Sequence, residues 1–181
     1  MTRLTLVVVL AALFGAGCDS SAASAPPQPQ AASVTTASPT PEPMAAVKYV
    51  AYANDRFAFT VERPAHFKPG PEPMNGDGLQ FFGPNGGVMT ASGMFDMHEG
   101  DLGQAFAAAK EQSGLTVTYE VKKTDWFVVS GTKGDAIVYQ KTILQDGREV
   151  TVHFEYPAAL KAEFDPIVGH AVKTLKALPF Q

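Results

Sequence analysis

Four histidines, six methionines and scattered carboxylates are the side chains with which this 181-residue chain could hold a metal or move a proton. They are densest at Met89, Met94, Met97 and His98, with Glu99 and Asp101 close by. Thioethers and imidazole suit copper in an oxidising compartment, which makes Met94, Met97 and His98 a candidate metal set. The plainer alternative is that Met89, Met94 and Phe95 end a strand and fill core gaps, with His98 in the loop before a helix. Other metal and cofactor motifs are each broken at a defined place. His98-Glu99 opens like a zinc-protease motif, but Leu102 stands where the second His belongs. Gly76-Asp77-Gly78 begins a dinucleotide fingerprint that Phe81 ends, and Pro73 and Pro84 replace the two end carboxylates of a calcium loop through Asn75 and Asp77. No cofactor is expected.

Nucleophilic catalysis needs a hydroxyl or thiol with a base in reach. Ser130-Gly131 lacks the first glycine of a nucleophile elbow, and nothing in the sequence joins Ser130 to His153 or His66. No catalytic residue is assigned. For binding, the long irregular stretch Pro69–Gly78 is the first candidate, because contact surfaces favour loops on rigid scaffolds. Glu72, Asn75 and Asp77 are its candidate contacts, and the single Trp126 is a candidate anchor unless it serves the core. A net charge of −4 without a basic run leaves no footprint for nucleic acid, whose phosphates must be neutralised. One Cys excludes an intramolecular disulfide.

Alternation with period two places Phe57/Phe59/Val61, Val117/Tyr119/Val121, Ile137/Tyr139/Ile143 and Val150/Val152/Phe154/Tyr156 each on one face of a strand. Asn85-Gly86, Lys133-Gly134 and Asp146-Gly147 supply positive φ for tight turns between such runs, so an antiparallel sheet is expected. Two segments break the alternation. Asp101 caps a helix with Leu102, Phe106 and Ala109 on its apolar stripe and Gly114 as its stop. Asp165-Pro166 predicts a second helix start, capped by Asp165, with Ile167, Val168, Ala171, Val172 and Leu175 buried. A short helical turn over Ala158–Phe164 precedes it.

The chain begins with Met1-Thr2-Arg3 and the apolar run Leu4–Phe14, then small residues. At ~1.5 Å per residue this run spans about half of a ~30 Å hydrocarbon core, the pattern of a secretory signal rather than an anchor. Its end, Gly15-Ala16-Gly17-Cys18, resembles the lipobox of bacterial lipoproteins, in which the Cys is acylated and becomes the mature N-terminus. Residues 1–18 are thus expected to be a lipoprotein signal peptide. The resemblance implies a membrane partner through acylated Cys18 and a periplasm-facing place in the cell envelope, without fixing inner or outer membrane. From Asp19 to Ala46, 24 of 28 residues are Ala, Pro, Ser, Thr or Gln, a composition that cannot bury a core. This expected tether reaches between roughly 30 Å as a coil and ~87 Å fully extended. Residues 47–181 hold five Tyr, the Trp and nearly all of the Phe, and are expected to form the globular domain.

This order of strand, loop, hairpin, helix, antiparallel strands and closing helix resembles the PsbP-like fold, named for the extrinsic P subunit of photosystem II. The residues that carry the likeness are Arg56-Phe57-Ala58-Phe59-Thr60-Val61-Glu62-Arg63-Pro64 and the terminal helix after Asp165-Pro166. Trp126–Gly131, Glu155-Tyr156-Pro157 and Phe164–Val168 are also similar to a group of bacterial envelope proteins. The resemblance covers residues 49–176 and implies an α+β fold, mostly antiparallel sheet with two to three helices. Members of that wider fold act mainly by docking on partner proteins, some assisting metal or cofactor retention, and the resemblance implies no catalytic residue. The function expected is that of a non-enzymatic, membrane-anchored lipoprotein that docks on another envelope protein. Binding of a small ligand or metal, and a cryptic hydrolase, are the alternatives.

Overall fold

The computed structural model describes residues 46–180. The expected signal peptide with Cys18 and the tether, except Ala46, lie outside the described residues. Ten strands and two α-helices follow in order: β1 Tyr49–Asn54, β2 Phe59–Pro64, β3 Lys68–Pro69, β4 Gly78–Phe82, β5 Val88–Phe95, α1 Leu102–Lys110, β6 Thr116–Lys122, β7 Trp126–Lys133, β8 Ala136–Gln145, β9 Arg148–Pro157, α2 Lys161–Thr174 and β10 Lys176–Ala177. Single 3-10 turns occupy Pro84–Gly86 and Ala158–Leu160.

A seven-stranded sheet runs in the order β3-β4-β5-β9-β8-β7-β6, and a smaller one in the order β1-β2-β10. Every pairing is antiparallel. The β8–β9 hairpin turns at Asp146-Gly147, both at positive φ (52° and 70°), as a two-residue turn matched to strand twist requires. One face of the large sheet packs with the small sheet and α2 around Phe59, Phe81, Met89, Val152, Phe154, Phe164 and Ile167, all buried. A second cluster, Ala105, Ala109, Phe127 and Val129, seats α1 on the opposite face. Each fully buried Val or Phe contributes about 1.5–3 kcal/mol of apolar transfer.

Four local expectations are corrected. Ala58 turns to positive φ (44°), so Phe57 is buried from a turn and β2 begins at Phe59. A bulge between Val117 and Tyr119 in β6 inserts one residue, sending Val117 to the α1 cluster while Tyr119 faces the side of Ser130, its register partner. Helix α2 starts at Lys161 rather than at Asp165: Asp165 caps nothing and instead pairs with Lys161 at 2.6 Å, and Pro166 lies inside the helix. The cause is tertiary, because Phe164 stacks on Tyr156 with ring centroids 4.4 Å apart, and that packing holds the preceding turn helical. Helix α1 keeps its Asp101 cap but ends at Lys110, with Gly114 (φ 77°) in the turn into β6.

Candidate functional site

The chemistry-bearing residues converge on one end of the large sheet, where β5 leaves it. Strand β5 ends at Phe95, and Asp96 then organises the loop to α1. Its carboxylate accepts the N–H groups of His98 (2.7 Å) and Gly100 (2.5 Å), which lets Glu99 and Gly100 take left-handed conformations. Asp101 accepts the Gly103 and Gln104 N–H groups and so fixes the start of α1. The loop is tied to the neighbouring hairpin tip by Asp96 N–H donating to the Gly147 carbonyl at 2.9 Å. Leu144 N–H donates in turn to the Asp125 carbonyl at 2.8 Å. These ties enclose a hollow of about 550 Å³ whose lining includes Asp96, Glu99, Asp125 and Asp146 and no Lys or Arg.

Exposed apolar side chains flank that hollow at Phe95 and Met97, the chain neighbours of Asp96, and Leu178 is exposed on the C-terminal segment. Phe95 is 57% exposed, Met97 75% and Leu178 38%. Phe95 meets buried Phe57 edge-on at 5.2 Å, and the half-buried Phe180 ring lies 6.5 Å from Phe95 and 4.4 Å from the guanidinium of Arg148. Arg148, fully buried, donates to the Leu178 carbonyl and holds the C-terminal segment in place.

The loop residues Glu72, Asn75 and Asp77 belong to the same end. Asp77 pairs with Arg56 at 3.0 Å, Arg56 also donates to the Asn75 carbonyl, and the Arg56 guanidinium lies 5.2 Å from the Phe57 ring that supports Phe95. Asn54 Nδ2 donates to the Gly76 carbonyl at 2.9 Å, closing the loop onto β1. Glu72 is exposed and helps line a hollow of about 360 Å³ between this loop and the β1–β2 turn. Trp126, half-buried, packs against the main core with the Lys141 ammonium 5.2 Å from its ring.

Of the candidate metal residues, Met89 is core, whereas Met94 and Phe95 are exposed, so the expectation that these two fill core gaps is corrected. Met94 sits opposite Glu149 in the β5–β9 register, and His98 Nε2 lies 3.7 Å from Glu149 Oε1. Burial pushes the Glu149 carboxyl up; the facing His98 opposes this and Asp96 adds to it. Met97 stands in the solvent. Among the described residues, no three His, Cys, Asp or Glu side chains gather as a metal set.

The structure separates the candidate hydrolytic pair. Ser130 donates to the Val138 carbonyl at 2.8 Å and shares a face with Tyr139 and Phe154, while His153, the next residue along β9, points to the other face. Burial holds the His153 imidazole below its usual value. Two groupings escaped the sequence. His170 Nε2 meets Glu62 Oε2 at 2.6 Å and stacks on Tyr49 at 3.6 Å, a contact between residues with no local signal linking them. Tyr119, Tyr139 and Tyr156 line a groove of about 490 Å³ beside the start of α2, brought together only by the β6 bulge and the sheet register.

No protein-family model matches the chain, and no curated protein is similar to it. Solved structures are similar in fold. The solution structure of cyanobacterial PsbP (CyanoP) from Synechocystis sp. PCC 6803 gives a TM-score of 0.56 at 6% identity, covering 77% of this chain and 98% of that one. The Ran-binding protein Mog1p of Saccharomyces cerevisiae gives 0.54 at 10% identity, covering 73% of this chain and 96% of that one. The fold is PsbP-like α+β.

Proposed function

We propose that this protein is a non-enzymatic docking module, carried on an acylated Cys18 and a proline-rich leash, that binds another envelope protein through the end of the sheet where β5 meets α1. The observation that carries this reading is the exposure of Phe95 and Met97 on either side of Asp96, which lines a hollow with four carboxylates and no cation in its lining. An apolar edge beside a hollow lined by carboxylates, with Lys141 and Arg148 in electrostatic reach of Asp125 and Asp146, suits a recognition surface, with apolar contact supplying affinity and charge supplying orientation and rate. The partner's matching face is therefore basic with protruding apolar side chains. Mog1p is described as Ran-binding, so a domain of this shape is compatible with protein docking. The placement of Ser130 and His153 on opposite faces of the sheet supports the non-enzymatic reading.

Membrane fractionation tests the leash. The wild-type chain is expected in the detergent-soluble membrane fraction, and Cys18→Ser in the soluble fraction. Recovery of both in the soluble fraction overturns the anchoring. Co-purification tests the surface. Glu99→Gln, Asp125→Asn and Asp146→Asn together are expected to release any partner held by the wild type and to leave the circular dichroism spectrum unchanged. A partner retained equally by the triple variant contradicts the docking surface.

A further inference from the structure

Glu149 is 9% exposed, and its Oε1 has no hydrogen-bond partner. A buried carboxylate oxygen without a partner is costly and calls for an explanation. The group it faces is the His98 imidazole, with Nε2 at 3.7 Å, beyond hydrogen-bond reach. That separation is instead close to the distance between two ligands of a shared ion. A nitrogen and an oxygen each ~2.1 Å from a metal and roughly tetrahedral about it stand about 3.4 Å apart.

The register places a candidate third ligand on the same face as Glu149. Met94 lies directly opposite Glu149 across β5 and β9, and directly opposed residues project from the same face with Cβ atoms about 5 Å apart. The unbranched Met side chain is long and adaptable, and Met94 is 44% exposed, so its thioether is free to turn toward the point between His98 and Glu149. The Asp96 carboxylate is committed to the loop amides and holds His98 in position by accepting its N–H. Imidazole, carboxylate and thioether around one point favour copper over magnesium and calcium, which take oxygen ligands, and over zinc, which follows copper in the Irving–Williams order.

We propose that His98, Glu149 and Met94 form a mononuclear copper site at the β5–β9 end of the sheet. Met97 is no part of it. The site is independent of the docking reading: its loss leaves Phe95, Leu178 and the acidic hollow intact.

Calorimetric titration and native mass spectrometry of the purified full-length chain test the proposal, in a Cys18→Ser background so that the single thiol does not hold the ion. Cu(II), Cu(I) buffered by a chelator, and Zn(II) are the probes. One copper per chain is expected, with zinc bound at least about tenfold more weakly. The Cu(II) form is expected to show electron paramagnetic hyperfine structure from one imidazole nitrogen. His98→Asn is expected to abolish that signature, and Glu149→Gln to weaken copper by about tenfold or more. Met94→Leu, a volume-conserving change at an exposed position, is expected to weaken Cu(I) without altering circular dichroism. No saturable copper uptake, or uptake unchanged in His98→Asn and Met94→Leu, overturns the site.

Discussion

Gly131 shows how much of this molecule turns on single atoms. A Cβ there would stand 2.1 Å from the Thr116 carbonyl oxygen, and that oxygen belongs to the backbone of β6. Gly131→Ala is therefore expected to push β6 away and cost about 2 kcal/mol in chemical denaturation. An unchanged midpoint would show that β6 does not approach so closely. Tyr156 offers a titration. Burial, with Asp165 and Tyr139 adding, pushes its phenol from 10.0 up to about 12, so the fold favours the protonated form. Its contribution is complete below pH 10 and is lost as pH rises from 10 toward 12. Tyr156→Phe is expected to flatten the fall of the urea midpoint over that interval, with Tyr139, also raised by burial, keeping part of the slope. A slope identical to wild type would contradict the assignment. Side-chain roles of this kind were only partly legible beforehand. His98 was visible as a ligand type, but its partner Glu149 lies on a strand whose position opposite β5 no local pattern reveals.

Elements are legible in the sequence where one pattern decides them and hidden where packing overrides it. Val150, Val152, Phe154 and Tyr156 alternate without interruption, and β9 accordingly sits at the centre of the sheet. The Asp101 cap was legible because Asp101 accepts two N–H groups from its own next turn. The Asp165-Pro166 start signal lost to Phe164, whose burial depends on Tyr156 and Phe67 and so on tertiary contacts. The β6 bulge was invisible because an inserted residue preserves composition and shifts only the face. One element has a stability prediction of its own. α1 is held on the sheet largely by Phe127 and Val129 against Ala105 and Ala109, with Phe106 5.5 Å from Phe127. Phe127→Ala is expected to cost about 3 kcal/mol or more and to deprotect α1 amides in hydrogen exchange ahead of those in β5 and β9. Loss of protection across all elements at once would show that the two clusters form a single cooperative unit.

At the scale of the whole molecule, the antiparallel α+β architecture was legible because its hairpins are local and strand neighbours in sequence are mostly neighbours in space. The proposed docking end was not, since it assembles the 72–77 loop, the end of β5, the Asp146-Gly147 tip and the C-terminal segment from four distant stretches. Among the described residues, no helix is long and apolar enough to cross a membrane. Attachment in this account falls to Cys18, and recognition falls to the exposed Phe95–Met97 edge and its acidic hollow. Site-specific photo-crosslinking in living cells probes that division most directly, with the crosslinker placed at Met97 in one strain and at exposed Asp135, on the opposite end of β7, in another. The account predicts a discrete protein adduct from Met97 that disappears when Glu99, Asp125 and Asp146 are neutralised, and none from Asp135. Equal adducts from both positions, or a Met97 adduct indifferent to those three charges, would contradict it.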